Sequence, residues 1–378
     1  MKSPASKAPR MRLLRAATAL TVLSALTLVA APVAHADYHR GGGGGGGGGT
    51  KAPPPPNVKV KVRNGDLILT GPSGPALLTI TPTETGFRIL GRGETQINGA
   101  SFFDAEGVTR DWKLKFGRSR ASEVAVERGA DGTPTPRPRN VVFTGGLRSE
   151  FGLDGVEISG NLKINMRRTQ ASRVAVATLV DTSVGGALKM AGSSHRTQLV
   201  ATDCTITGAT SVLARSPNRP SDIAAGIFAR RCDFGSVKVT VVRANGALRF
   251  FDSTASGDVN LRGDIDVETT GSRFRGGVKL TASPDVQLVT LTDTIFDRTA
   301  TFSTGKSDDW FQITGCTFGA LDVRSGPGND LLETVDVSTG PGSRFDGSKG
   351  KGDVWTTNGD ESALETLGVE TVGPFPAR

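Results

Sequence analysis

"TTGSRFRGGVKLTA" (residues 269–282) and "ITGCTFGALDVRSG" (313–326) are two copies of a pattern that recurs along the chain. Each copy has a small residue, then an apolar residue and a glycine, followed by an alternation of apolar and polar residues. Repetition of one unit at a steady interval is typical of solenoids, and alternation with a period of two is typical of β-strands. The pattern therefore predicts strands that stack from one repeat onto the next.

The small residue marks the position of each repeat. Successive marks lie 19 to 28 residues apart and are Ser183, Cys204, Cys232, Ser253, Ser272, Thr294 and Cys316. We predict an all-β fold, a parallel β-solenoid (right-handed β-helix) with coils of about 19–28 residues, in which strands of neighbouring coils lie about 4.8 Å apart. An antiparallel sandwich is the main rival, but it needs hairpin turns every 8–12 residues or so and no small residues in register.

The repeat also predicts which side chains face inward. One inward ladder comprises Val237/Val239, Val259/Leu261, Val278/Leu280, Ala300/Phe302 and Leu321/Val323. A second, rich in aromatic rings, comprises Ile206, Phe234, Phe274, Phe296 and Phe318. The glycines that follow the second ladder are expected to form tight bends with positive φ: Gly208, Gly235, Gly257, Gly276 and Gly319.

The ends of the chain have other compositions. Residues 1–36 have a basic start, an apolar run and a small-residue site at Ala34–Ala36, which is the layout of a secretory signal peptide. Residues 37–57 contain runs of glycine and proline and are predicted to be a linker. The remaining divisions are an atypical N-terminal β region or solenoid cap (58–155), the solenoid (156–360) and a C-terminal tail (361–378).

The net charge of the chain after signal cleavage limits the classes of partner that it is expected to bind. Signal cleavage removes five positive charges and no negative ones, so the formal net charge falls from +8 to +3. With one Tyr and three Trp, the chain also offers few rings for stacking on bases. We therefore expect no nucleic-acid partner and no membrane span after cleavage. The expected location is extracellular, at the cell surface or periplasmic.

The repeat resembles that of exported bacterial right-handed parallel β-helix proteins, the pectate-lyase-like solenoids. The resemblance covers roughly residues 156–360 and rests on the small-x-apolar-x-Gly pattern quoted above. It implies the fold; it does not fix an activity, because this fold carries lyases, hydrolases, adhesins and structural proteins. "SGPGNDLLE" (325–333) also bears a weak local resemblance to calcium-binding nonapeptide repeats, from which it departs at Pro327.

Asp308, Asp309 and Asp330 are the candidate metal ligands. They end two successive corners, "TGKSDD" (304–309) and "SGPGND" (325–330). Calcium prefers several carboxylate oxygens, so a single calcium site shared between the two corners is the cofactor hypothesis; the alternative is a plain turn. No other cofactor is expected.

The cysteines have a structural explanation, because they occupy a position held by Ser or Thr in other coils. Cys204 and Cys232 lie on neighbouring coils, where their Cα atoms come within disulfide reach. Export to an oxidising compartment makes a Cys204–Cys232 disulfide a candidate. Cys316 lies four coils further on and is expected to stay unpaired.

The chemistry of the chain favours a non-enzymatic role. His195 is the single histidine of the predicted folded part, which disfavours a catalytic triad or a histidine zinc site. We predict an exported β-solenoid with a structural, adhesive or carbohydrate-contacting role, whose partners are polysaccharide or cell-surface components. The alternative is a polysaccharide lyase or glycoside hydrolase. The residues of a lyase would come from Asp258, Asp264 and Asp266 together with Arg262 or Lys279. The paired carboxylates of a hydrolase would come from a set spread over several corners: Asp293, Asp297, Asp308, Asp309, Asp322 and Asp330.

Overall fold

The computed structural model describes residues 54–71, 76–116, 122–129, 133, 135–146, 149–166, 174–192, 196–215, 225–282, 285–347, 352–357, 364–368 and 371–374. Over these ranges the chain is a parallel β-solenoid of about nine turns, with about 22 residues per turn and no helices. The predicted fold class is therefore confirmed. The described ranges contain no helix with the length and apolar character of a membrane span. The predicted signal peptide and most of the predicted linker lie outside them.

The strands follow one another with short connections. The first nine are β1 (Asn57–Arg63), β2 (Asp66–Thr70), β3 (Ala76–Pro82), β4 (Gly86–Gly91), β5 (Gln96–Ile97), β6 (Phe102–Glu106), β7 (Trp112–Lys115), β8 (Ser122–Val126) and β9 (Val141–Thr144). The next fifteen are β10 (Ser149–Asp154), β11 (Glu157–Ile158), β12 (Leu162–Met166), β13 (Val174–Val180), β14 (Ser183–Val184), β15 (Leu188–Gly192), β16 (Arg196–Thr202), β17 (Thr205–Ile206), β18 (Thr210–Arg215), β19 (Ala225–Arg230), β20 (Asp233–Phe234), β21 (Val237–Val242), β22 (Gly246–Phe251), β23 (Thr254–Ala255) and β24 (Val259–Arg262). The last thirteen are β25 (Ile265–Thr270), β26 (Arg273–Phe274), β27 (Val278–Thr281), β28 (Leu288–Thr292), β29 (Ile295–Ser303), β30 (Trp310–Thr314), β31 (Thr317–Arg324), β32 (Leu331–Val335), β33 (Ser338–Thr339), β34 (Ser343–Asp346), β35 (Val354–Thr357), β36 (Leu364–Leu367) and β37 (Thr371–Pro374).

Two long sheets wrap around one apolar core. A typical coil contributes one strand to the smaller sheet, such as β25, and then a two-residue strand and a longer strand to the larger sheet, such as β26 and β27. In β29 and β31 the short and long segments are continuous, and a bulge between Phe296 and Thr299 marks the place where they join. Each strand pairs in parallel with its equivalent in the next coil, as between β24 and β27.

The amino-terminal end has a different topology, as the sequence predicts. β1 and β2 form an antiparallel hairpin, and Asn64 and Gly65 at its turn have φ of 51° and 78°. β4 pairs antiparallel with both β3 and β6. Parallel pairing is already present before residue 156, where β1 meets β5, β2 meets β7 and β3 meets β8. At the other end it continues past residue 360, because β36 and β37 pair in parallel with β34 and β35.

The expectation that the bend glycines have positive φ is wrong. The left-handed residue of each coil lies earlier, between the strand of the smaller sheet and the two-residue strand, and its φ is between 44° and 64°. Within the part of the chain that the structure describes, nine coils have this residue: Gly155, Asp181, Asp203, Arg231, Asp252, Gly271, Asp293, Gly315 and Asp336. Asp is among the few non-glycine residues that tolerate this conformation, since its short side chain can hydrogen-bond locally.

The bend glycines are needed for another reason, which is the close approach of neighbouring coils. A Cβ on Gly276 would lie 2.3 Å from the carbonyl carbon of Gly257, and one on Gly235 would lie 2.3 Å from the carbonyl oxygen of Thr207. Both distances are far below van der Waals contact. Glycine therefore recurs at this bend because a side chain has no space.

The residues of both predicted ladders are buried in the core, and one further aromatic ring joins the second ladder. Phe274, Phe296 and Phe318 stack with centroids 5.0 Å and 4.6 Å apart. At the coil where the sequence has Ala255 instead of Phe, the ring of Phe250 enters from the smaller sheet. It lies 5.1 Å from Phe234 and 5.7 Å from Phe274, so the stack stays continuous.

Candidate functional site

The corner that carries the predicted metal ligands is an interior stack of carboxyl groups. Asp309 and Asp330 immediately precede β30 and β32, whose first residues pair in register. Asp353 holds the same position before β35, and Gln287 holds it before β28. All four side chains are buried, with exposed fractions of 0–1%.

Each aspartate of the stack accepts a backbone hydrogen bond from the coil before it. Oδ1 of Asp309 accepts from the Gln287 nitrogen, that of Asp330 from the Asp309 nitrogen, and that of Asp353 from the Asp330 nitrogen, each at 2.8 Å. The Gln287 Oε1 continues the series by accepting from the Ile265 nitrogen at 3.1 Å. The carboxylates thus satisfy main-chain donors that the corner loops leave without a strand partner.

The second carboxyl oxygen of Asp309 and Asp330, Oδ2, differs from Oδ1 in its hydrogen bonding. The Oδ2 atoms of Asp309 and Asp330 are buried and accept no hydrogen bond in this structure. The Thr304 and Ser325 hydroxyls lie beside these carboxyls, but each donates here to a main-chain carbonyl. An ionised oxygen without a donor is costly to bury, so the arrangement suits the protonated acid.

The pKa values agree with this geometry. The pKa of Asp309 is raised to about 6, mainly by burial and in smaller part by the nearby Asp308, while the Thr304 hydroxyl and neighbouring backbone amides partly oppose the shift. Burial likewise raises the pKa of Asp330 to about 7, with Asp309 and Asp353 adding like-charge repulsion. Both groups therefore titrate between mildly acidic and neutral pH.

The predicted ligands meet at this corner, but their oxygens have other uses. Asp308 is only half-buried, and its Oδ1 accepts from the Asn329 nitrogen at 2.9 Å. Within the described ranges, no group of three or more His, Cys, Asp or Glu side chains has an arrangement that could hold a metal ion. Carboxyls that bind main-chain donors and favour protonation do not suit calcium, and the calcium site stays a prediction.

Asp353 is the member of the stack that the sequence interpretation missed. The corner "DGSKGKGD" (346–353) is two residues longer than "SGPGND", so Asp353 does not align by spacing alone. A signal was nevertheless present: an aspartate precedes two apolar or aromatic residues in "DWF" (309–311), "DLL" (330–332) and "DVW" (353–355). Aligning the start of the following strand would have found it.

The three cysteines lie in the small-residue ladder, as predicted. Cys204, Cys232 and Cys316 are buried free thiols in this structure. The Cys204 nitrogen donates to the Cys232 Sγ at 3.4 Å, and the Cys232 nitrogen donates to the Ser253 Oγ at 3.1 Å. The pKa of Cys204 is raised by its hydrogen bond with Cys232 and by burial. The disulfide stays a prediction.

The carboxylates considered for an enzyme serve as structural acceptors. Oδ1 of Asp258 accepts from the Gly277 nitrogen, and that of Asp266 from the Leu288 nitrogen, at 2.9 and 3.0 Å. Asp264 accepts from the Gln287 side chain at 3.0 Å. These three groups link neighbouring coils and do not converge around one open point. His195 lies outside the described residues.

An open cleft of about 260 Å³ lies near the left-handed corners. Arg128 lines it and bridges Asp154 and Asp181 at 3.2 and 2.7 Å. Asp203 lines it too and pairs with Arg231 at 2.6 Å. These charged groups thus pair with one another across neighbouring coils, and among the described residues they are not left open to a ligand.

The outward face of the larger sheet is lined by polar and cationic side chains. In successive coils from β12 to β27, one registered position holds Lys163, Lys189, Ser211, Lys238, Asn260 and Lys279. Lys163, Lys189, Lys238 and Lys279 are exposed, and none of them forms an ion pair with another residue that the structure describes.

These features define a β-solenoid with a polar outer face and an interior stack of acids. Comparison with known proteins adds no family: no protein-family model, no curated protein and no solved structure matches the chain.

Proposed function

We propose that this protein is an exported, non-enzymatic β-solenoid that contacts carbohydrate or other cell-surface components through its outer face. The main support is the composition of that face, where one registered position holds Lys, Ser or Asn over six successive coils. A lyase or hydrolase would need carboxylates and a base around one substrate position. The carboxylates considered for that role are used between coils instead.

The fold of the described residues suits this role. A parallel solenoid is a rigid scaffold that repeats the same outward positions every coil, which gives an extended surface for a long partner. The predicted glycine- and proline-containing linker would separate this scaffold from an attachment point. Export itself rests on the predicted signal peptide.

The decisive experiment is an activity screen on a panel of acidic and neutral polysaccharides, with and without calcium. We expect no release of unsaturated uronates or reducing sugars, together with retention of the protein by at least one envelope fraction. Release of either product would establish the enzyme alternative. Fractionation of the producing cells tests export separately, because the proposal requires the processed chain outside the cytoplasm.

A further inference from the structure

The lysines of the folded chain are gathered on one surface. The structure describes nine lysines, and eight of them point outward from the larger sheet: Lys59, Lys61, Lys113, Lys115, Lys163, Lys189, Lys238 and Lys279. The ninth, Lys306, lies in a corner loop. We call the outward side of β1, β2, β7, β9, β12, β15, β18, β21, β24 and β27 the lysine face.

Strand register aligns these side chains in two rows. The first row comprises Lys61, Ile68, Lys113, Val142, Lys163, Lys189, Ser211, Lys238, Asn260 and Lys279. The second row lies two residues along each strand and comprises Lys59, Thr70, Lys115, Thr144, Asn165, Ala191, Leu213, Thr240, Arg262 and Thr281. At about 4.8 Å per strand, the first row extends for about 43 Å, while the rows are about 7 Å apart.

The positive charge of these rows is hardly neutralised. Neither row contains an acidic residue, and among the described residues the one ion pair of a row lysine joins Lys113 to Asp66 at 2.6 Å. The next coils differ, because Asp322 in the same register pairs with Arg324 and Arg344 at 2.7 and 2.8 Å. The uncompensated charge therefore ends after β27.

The form of the lysine face indicates the form of its partner. A narrow double row along the solenoid axis matches a linear polyanion that lies parallel to that axis better than a planar membrane surface. The two rows contain no aromatic ring on which a base or a sugar could stack. This disfavours a nucleic acid and a neutral polysaccharide.

The presence of lysine instead of arginine in these rows indicates which anionic group the partner carries. Arginine is suited to planar, bidentate pairing with carboxylates, and this protein uses it so in the pair of Arg231 with Asp203. The rows instead carry lysine, a compact charge with three donors that meets phosphate oxygens from any direction. Phosphodiester groups along a flexible chain can adjust to lysines that recur at one, two or more coil spacings.

We propose that the lysine face binds a linear, phosphodiester-linked polyol polymer of the cell envelope. This inference rests on the proposed function, since it names the partner of that non-enzymatic surface. It adds the chemical class of the partner, the location of the contact and the orientation of the bound chain.

The test measures binding of purified full-length protein to poly(glycerol phosphate) as a function of salt concentration. Wild type is compared with the combined variant Lys163→Gln, Lys189→Gln, Lys238→Gln and Lys279→Gln. We expect the variant to bind at least tenfold more weakly and to show a smaller salt dependence, because fewer counterions are released on binding. Circular dichroism and thermal melting check that the variant is folded.

A charge-matched control removes four exposed cations outside the two rows, by Arg230→Gln, Arg243→Gln, Arg298→Gln and Lys306→Gln. We expect this control to bind within about twofold of wild type. Absence of binding at low salt, or an equal loss in the control, would overturn the proposal. So would tighter binding to polygalacturonate, to oligo(dT) or to anionic phospholipid vesicles than to poly(glycerol phosphate).

The two proposals fail in different ways. Product release from the polysaccharide panel would refute the non-enzymatic function and leave the binding result in place. Failure of the binding test without product release would refute the phosphodiester partner alone.

Discussion

Oδ1 of Asp330 accepts a hydrogen bond from the backbone nitrogen of Asp309 at 2.8 Å, one coil earlier. Asp353 repeats this contact with Asp330, so the side chain of each coil completes the backbone of the coil before it. The backbone of this corner is therefore held by side-chain hydrogen bonds instead of strand pairing, and this arrangement buries acidic groups next to one another. The stability of this end of the solenoid should therefore depend on protonation.

We predict that the protein is more stable at mildly acidic pH than at pH 8. The folded-state pKa values of Asp309 and Asp330, about 6 and about 7, lie above the unfolded value of 3.8. Their stabilising contribution is complete below pH 4 and is lost as the pH rises from there through the folded-state pKa values, by up to about 1.4 kcal/mol per pH unit for each group. Melting temperatures from pH 4.5 to 8 measure this slope.

Asp330→Asn should flatten that pH profile. Asparagine keeps an oxygen acceptor for the Asp309 nitrogen and carries no charge at any of these pH values. Asp258→Asn is the control, because that exposed carboxylate accepts from the Gly277 nitrogen and does not belong to the buried stack, and it should retain the wild-type slope. An unchanged slope in Asp330→Asn would show that other groups govern the pH dependence.

The bend glycine Gly276 should tolerate no side chain. Gly276→Ala places a Cβ 2.3 Å from the Gly257 carbonyl carbon, and we expect a loss of about 1–3 kcal/mol of unfolding free energy. Gly152→Ala is the matched control within a strand, since its Cβ would have no neighbour closer than 3.9 Å. Denaturant unfolding of both variants tests the comparison; equal stability of the two would contradict the close-approach explanation.

Phe250 should be as important to the core as the predicted ladder residues. Phe250→Ala opens the aromatic stack between Phe234 and Phe274, and we expect a loss of about 3–5 kcal/mol. The double variant Phe250→Ala with Ala255→Phe moves the ring onto the ladder position and should recover part of this loss. No recovery would mean that the stack requires its ring from the smaller sheet.

The cysteine pair yields a prediction about the exported protein. If Cys204 and Cys232 are oxidised on export, the unreduced, denatured protein should be alkylated at Cys316 alone. Intact-mass analysis before and after reduction measures this. Alkylation of all three residues without reduction would eliminate the disulfide and leave the pair as a hydrogen-bonded step of the small-residue ladder.

Much of the fold could be predicted from the sequence because the repeat is local. Apolar alternation and a small residue in register give the strands, their inward faces and the stacking direction, since each follows from the period of two along a strand. The left-handed corner was missed because Asp and Gly share it, so it has no single-letter signature. Phe250 was missed because a ring from the other sheet fills the space above Ala255.

The candidate site was less accessible to sequence interpretation. Asp309 and Asp330 were found from their glycine-rich corners, but their role depends on burial and on which oxygen meets a backbone donor. Asp353 follows a corner of different length, so only the register of β35 against β32 places it in the stack.

The sequence by itself determined the solenoid, its coil length, its inward ladders and its capped beginning, because these properties recur within each repeat. Only the tertiary structure determined how the charged side chains are distributed over the surface. The predicted mature chain has a formal net charge of just +3, and its lysines are scattered from residue 51 to residue 351. Strand register brings eight of the described lysines onto one face, because side chains at equivalent positions of stacked strands lie in line whatever the chain length between them.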